Sequence, residues 1–520
     1  MRSVMAHQFS QIPRAEIQRS SFNRSHGYKT TFDSGYLVPF YIDEVLPGDT
    51  FNLKCTLFAR LATPIVPFMD NMFMETFFFF VSNRLLWDNW QKFNGEQENP
   101  GDSTDFLVPT IKNTGSFTVG GIADYFGIPT GVNNLEVNAL PFRAYNLIYN
   151  EWFRDENLQD SLPVEKGDGP DDVADYKLVR RGKRHDYFTS ALPWPQKGPG
   201  VEIPLGTSAP VLSTKSVSTN YLTPDSGYRG SVIVQSGHMN INNPTGGGAN
   251  IDIGMKLDDF GLYADLTTAT AYTINSLRQA FQVQRLYERD ARGGTRYTEI
   301  LRAHFGVVSP DARLQRPEYL GGSSSPININ PVQQTSATDS TSPQGNLAAF
   351  GLTSSKIHGF TKSFVEHGYI IGLVNVRADL TYQQGLQRLW SRQTRFDFYW
   401  PALAHLGEQA VLNKEIYAQG TAADDEVFGY QERYAEYRYY PSLITGKFRS
   451  TYAQPLDMWH LSQKFDSLPT LSAQFIEDNP PVSRVIAVQD EPQFLLDTYF
   501  SLNCVRPMPV YSVPGLVDHF

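Results

Sequence analysis

Cysteine is scarce in this chain: only Cys55 and Cys504 occur among 520 residues. They form no CxxC pair and have no histidine cluster beside them. This argues for two reduced, buried thiols rather than a disulfide framework or a metal site. Charge is also sparse, at 19% of residues, with an acidic excess of -10. A surface that coated nucleic acid everywhere would be basic, so any such contact has to come from local patches. Long apolar runs are missing. The most hydrophobic stretch, 69–87, is interrupted by Asp70, Asn71, Glu75 and Arg84. No membrane insertion is expected from it. Residues 1–20 are polar, with no apolar centre of the kind a secretory leader needs.

Enzyme signatures are equally thin. There is no GxxxxGK[ST], GxSxG, HExxH or GxGxxG. The ten histidines are scattered. His358 and His367 flank a strand-like region and fit a capping or core role better than metal binding. No carboxylate pair stands out at the spacing a glycosidase would need. No enzyme activity and no cofactor are expected.

What the chain has is aromatic residues, 13% of the total, together with 33 Pro and 40 Gly spread along its length. Aromatic strands between many turns favour a mainly β fold with long loops. Strands are expected at 36–42, where Pro39 suggests an edge or a bulge, at 50–61, and at 72–81. The last holds four consecutive Phe, 77–80, which fits a strand covered on both faces. Further strands are expected at 369–380, 395–400, 434–440 and 483–488. Helices are expected at 83–93, 139–153 and 272–291. Stretches 94–105 and 167–175 look like polar and acidic loops, and 321–345 like a Gly/Ser/Pro/Thr loop.

Four groups of residues are candidate contact sites. The first is the arm 1–32, with Arg2, Arg14, Arg19, Arg24 and Lys29 against Glu16, a local charge of +4. Arg14, Arg19, Arg24 and Lys29 could neutralise phosphates, while His26 and nearby rings could stack on unpaired bases. An arm that simply packs under a neighbour is an equal alternative. The second is the basic run Arg180, Arg181, Lys183 and Arg184, for DNA or for an ion-pair strip between subunits facing the acidic loop at 168–175. The third is the stripe Arg278, Arg285, Arg289 and Arg292. Its spacing of 7, 4 and 3 puts it on one helical face, with Ile274, Leu277 and Phe281 on a buried one. The fourth is the polar, Gly-rich stretch 199–270, with a net charge of -3. Its candidate tip is Tyr228, Asn242, Asn243, Gly246, Gly247 and Gly248.

Several ordered strings carry a family resemblance. They are FNRSHGYKTTF at 22–32, NRLLWDNWQKF at 83–93, LPFRAYN at 140–146, ERDARGGTRY at 288–297, SPDARLQRP at 309–317 and RPMPVYSVPG at 506–515. Together they resemble the major capsid proteins of gokushovirus-type microviruses, which are single-stranded-DNA bacteriophages. The 199–270 stretch carries no such string.

The resemblance implies an eight-stranded antiparallel jelly-roll β-sandwich with large loop and helical insertions. It implies a T=1 icosahedral shell of about sixty copies around circular single-stranded DNA. The implied partners are other copies of the chain, the packaged DNA, small DNA-binding and pilot proteins of the virion, and a host-surface receptor. Assembly is expected in the bacterial cytoplasm. On this reading 1–32 is an interior basic arm. Residues 33–110 hold the first jelly-roll strands and a helix, and 111–198 form a helical and loop insertion. Residues 199–270 form a surface insertion at the three-fold axis, used in attachment. Residues 271–355 hold a helix and long loops, and 356–520 the remaining strands and a C-terminal arm. The alternative is a β-sandwich carbohydrate-binding or glycan-processing protein, which only the aromatic-rich β character supports.

Overall fold

The structure is a computed structural model. It describes residues 18–198, 211–213, 231–235, 238–242, 262–264, 274–340 and 343–511. Residues 198–288 form one compact unit and the rest of the chain another.

The larger unit is built on one nine-stranded antiparallel sheet. Its early strands are β1 (Ser20–Asn23), β2 (His26–Phe32), β3 (Val38–Val45), β4 (Thr50–Leu61) and β5 (Met72–Ser82). Two single-turn helices, α1 (Trp90–Phe93) and α2 (Ile122–Tyr125), follow β5, and two short strands, β6 (Thr110–Lys112) and β7 (Glu136–Asn138), pair with each other. The smaller unit contributes the pairs β8 (Val211–Ser213) with β11 (Leu262–Ala264), and β9 (Ser231–Gln235) with β10 (His238–Asn242). The main sheet continues in β12 (Glu318–Gln333), β13 (Leu347–Ser363) and β14 (Gly368–Ala378). A small pair follows, β15 (Glu408–Leu412) with β16 (Val427–Glu432), and β17 (Phe494–Arg506) returns to the main sheet.

The strand order is β1-β17-β4-β13-β12-β5-β14-β3, with β2 sharing the β17 edge. The two longest strands curl it. β12 pairs first with β5 and then with β13, while β13 pairs with β12 and then with β4. The two halves of the sheet are thereby brought face to face. Tyr41 on β3 and Phe500 on β17 have ring centroids 4.9 Å apart, and Phe40 packs on both Phe78 and Phe500.

Strict alternation makes this core. In β4 every second side chain from Phe51 to Leu61 is buried, and β17 does the same from Phe494 to Cys504. Both cysteines lie here as free thiols, and burial pushes Cys55 up to about 12. Pro39 sits on β3, which is the edge strand, beside a register shift against Gly372 and Leu373. Edge and bulge are the two places where a missing N–H does no harm.

The four Phe of β5 are covered on both faces, but by different things. Phe78 points into the core between the sheet halves. Phe79 points the other way, into a second core with α3 (Leu140–Trp152), and its ring is 5.4 Å from that of Trp152. The outer cover is therefore a helical layer and not a second sheet. Pro141 opens this helix, where its missing N–H costs nothing. Tyr145 then donates from its hydroxyl to the Leu37 carbonyl at 2.8 Å.

Other expected elements are corrected. The 83–93 helix breaks into a 3-10 turn at Asn83–Leu85 and a single turn at Trp90–Phe93. The 321–345 loop is largely β12, held by pairing to β5 and β13. Segments 395–400, 434–440 and 483–488 are not strands. They contain 3-10 turns at Arg395–Asp397, Ala435–Tyr437 and Val482–Arg484. The first two, rich in aromatic residues, lack a ladder partner and are tied by side chains instead, while 483–488 makes a single antiparallel bridge from Ile486 to Pro64. The Trp400 indole donates to the Arg395 carbonyl at 3.0 Å and the Tyr434 hydroxyl to the Phe398 carbonyl at 3.1 Å.

Candidate functional site

The arm cations are tied into the chain where it is described. Arg24 donates to Asp43 at 2.6 Å, and that carboxylate also accepts from the Tyr41 hydroxyl at 3.1 Å. Lys29 meets Asp497 across the β2–β17 pair at 3.0 Å. Arg19 donates to the Gly48 carbonyl and to Thr50. The His26 ring lies 5.2 Å from Phe500. Arg14 lies outside the described residues.

Arg181, Lys183 and Arg184 of the basic run line a cleft of about 630 Å³ together with Glu75, Arg154, Glu156, Arg292, Arg296 and Arg377. The structure thus brings together two groups that sequence spacing keeps apart, the basic run and the end of the Arg stripe. Most of the cations there are already engaged. Arg181 and Arg377 both pair with Glu75, and Arg184 bridges Glu75 at 3.8 Å and Asp379 at 2.9 Å. Burial alone would raise the Glu75 pKa, but the two guanidiniums outweigh it and lower it. Arg180 lies over the Tyr36 ring at 4.0 Å and donates to the Asp478 carbonyl. Lys183 is buried and donates to the Phe475 carbonyl at 2.6 Å, and burial brings it down to about 8. Within the chain the carboxylates beside this run are Glu75, Asp379 and Asp478.

That acidic loop has its own partner. Asp171 is gripped by Arg143, which also donates to the Leu86 and Gly167 carbonyls at 3.0 and 2.9 Å. Sequence reasoning passed over Glu75, Arg143 and Arg377 as site residues and gave the loop of Asp171 a different partner, because these pairs join residues 28 or more apart in the chain.

The Arg stripe sits on α4 (Ile274–Gly293). Arg278, Arg285, Arg289 and Arg292 are all exposed at residue level. Arg292 nevertheless pairs with Glu408 and, at 3.3 Å, with Glu432. The expected buried face is corrected: Phe281 is 65% exposed and Leu277 is exposed as well. The Ile274 side chain lies outside the described residues, as do Tyr228, Asn243, Gly246, Gly247 and Gly248. The backbone of Asn242 pairs with Ser231 in the β9–β10 hairpin.

A different set of cations is unengaged. Lys54 and Arg60 on β4 and Lys356 on β13 are exposed. Among the described residues none of the three has an ion-pair partner. They share one sheet face, because Lys356 stands opposite Thr56 in register, between Lys54 and Arg60. Among the described residues no cluster of three or more His, Cys, Asp or Glu could hold a metal, and no helix is long and apolar enough to cross a membrane. The chemistry on view is therefore ion pairing, stacking and surface contact.

Comparison with known proteins gives this surface its setting. The family profile described as capsid protein (F protein) matches residues 10–516. Capsid protein VP1 of Bdellovibrio phage phiMH2K is 54% identical over 527 residues, covering 99% of this chain and 98% of that one. Capsid protein VP1 of Chlamydia phage 1 is 49% identical, and that of Spiroplasma virus 4 is 39% identical, with the same coverage. The chain belongs to the capsid protein (F protein) family of the Microviridae, as a VP1-type major capsid protein of the gokushovirus group, and is a structural component of the virion rather than an enzyme.

Proposed function

We propose that this chain assembles into a T=1 icosahedral shell of about sixty copies that encloses circular single-stranded DNA. The observation that carries the reading is full-length similarity, with 99% of the chain matched to capsid proteins of three different phages. In this account the curled nine-stranded sheet is the jelly-roll wall of the shell, with one strand more than a plain eight-stranded jelly roll.

Exposed aromatic surface supports the same reading. Trp390 and Tyr440 are each 72% exposed, and Phe396, Phe398, Tyr399 and Tyr439 lie on neighbouring turns. A lone soluble chain rarely leaves so many rings in water, whereas rings and arginines are what subunit contacts bury. The exposure of Arg278, Arg285 and Arg289 supports a contact with DNA or with a neighbour's carboxylates. The polar stretch 199–270, with Tyr228 and the residues 242–248, is assigned to host attachment. Small DNA-binding and pilot proteins complete the virion.

Sedimentation of the expressed chain, with circular single-stranded DNA and any scaffold protein supplied, tests the shell. A single fast, uniform boundary is expected. A boundary of small oligomers alone would refute it.

A further inference from the structure

We propose that the solvent face formed by β2, β17, β4 and β13 is a binding platform for single-stranded DNA, a site that rests on the packaging role above.

The face follows from alternation. On β4 the inward side chains fill the core, so Asn52, Lys54, Thr56, Phe58 and Arg60 must point out. Antiparallel register then fixes their neighbours. Thr56 stands opposite Tyr499 and Phe58 opposite Asp497 on β17, while Lys356 on β13 stands opposite Thr56 from the other side. Lys29 on β2 is opposite Asp497.

The resulting chemistry is one-sided. The face carries four cations, Lys29, Lys54, Arg60 and Lys356, against the single carboxylate Asp497, in a chain whose net charge is -10. Two rings stand among them, Phe58 at 47% and Tyr499 at 54% exposure. They are diagonal neighbours across the β4–β17 pair, within about 7–8 Å by sheet geometry. That arrangement suits two successive bases stacked on rings, with their phosphates against the flanking ammonium and guanidinium groups. Leu495, 53% exposed, stands opposite Arg60, and the outward Asn52, Ser354, Ser501 and Asn503 add uncharged polar groups. They can accept or donate to sugars and base edges without selecting a sequence. A platform that tracks the backbone and stacks any base fits a whole packaged genome better than a base-reading site does.

Charge complementarity points to DNA as the occupant, and a second copy of the chain is an outcome of the test. Three unpaired cations around two rings would be left buried and uncompensated against an apolar surface. A polyanion supplies one phosphate per base.

The test uses unassembled chain and a dT20 oligonucleotide at low salt. Phe58→Trp places a reporter on the face, and its fluorescence should be quenched when the oligonucleotide binds. Lys54→Gln, Arg60→Gln and Lys356→Gln together should weaken binding about tenfold or more and reduce the salt slope by about 2. Phe58→Ser with Tyr499→Ser should weaken it by a similar factor. All these positions are exposed, so melting of the variants should match the parent. An unquenched reporter in a chain that binds DNA, or unchanged affinity and slope in the triple variant, would overturn the proposal. So would a parent chain that does not bind dT20. Footprinting that shows Tyr499 protected equally in DNA-free shells would assign the face to a subunit contact instead. Particle formation is scored separately by electron microscopy, so loss of the shell reading and loss of the DNA platform are distinguishable.

Discussion

Arg143 and Asp171 form a two-pronged ion pair, at 2.8 and 2.5 Å, with 0% and 1% of their side chains exposed. The pair joins α3 to the loop that follows it and closes the second core. Replacing one member strands the other charge away from water. Arg143→Met is expected to cost about 3–5 kcal/mol, read as a lower urea midpoint of the unassembled chain. A loss below about 1 kcal/mol would mean that the loop is held by its backbone alone.

Asp478 is buried beside Arg377, Lys183, Arg180 and Arg181, and burial pushes it up from 3.8 to about 7. Its folded value lies above its unfolded one. The stability it contributes is therefore complete below about pH 4 and is lost as pH rises to about 7. Asp478→Asn removes that dependence. The variant should melt higher than the parent by a margin that grows between pH 4 and 7 and is flat above. A margin that shrinks over this range would show that the surrounding cations win over burial.

Gly322 on β12 faces the Thr76 carbonyl oxygen so closely that an added Cβ would lie 2.1 Å from it. Gly322→Ala should push β12 off β5 and cost on the order of 3–5 kcal/mol. Gly101→Ala, in a loop with nothing within 4 Å, should stay within about 0.5 kcal/mol. Equal melting temperatures for the two variants would remove the close approach from the account.

Replacing residues 215–255 with a short Gly/Ser link tests the attachment role. Shells should still form, because the strands of the main sheet lie outside that stretch, and adsorption to host cells should fall sharply. Normal adsorption by intact variant particles would end the receptor assignment.

The sheet strands were legible where one face is core. The alternation of 50–61 and the four Phe of 72–81 survive unchanged, because burial on a pleated strand writes a period of two into the sequence. The long strand β12 was not legible. Its Gly, Ser and Pro residues have poor strand propensity, and only pairing with β5 and β13 makes them a strand. The segment 395–400 failed in the opposite direction: it has strand-like residues and no neighbour to pair with. The candidate site was half legible. Local charge density pointed to 180–184, yet those cations are largely engaged by Glu75, Asp379 and backbone carbonyls. Lys54, Arg60 and Lys356 never form a run. They become a patch only when two strands are laid side by side.

A cryo-electron-microscopy reconstruction of purified particles tests the shell most directly. The account predicts closed icosahedral particles with one chain per asymmetric unit, about sixty in all, and the curled sheet forming the wall. Particles without icosahedral symmetry, or open aggregates of the folded chain as the only product, would contradict it.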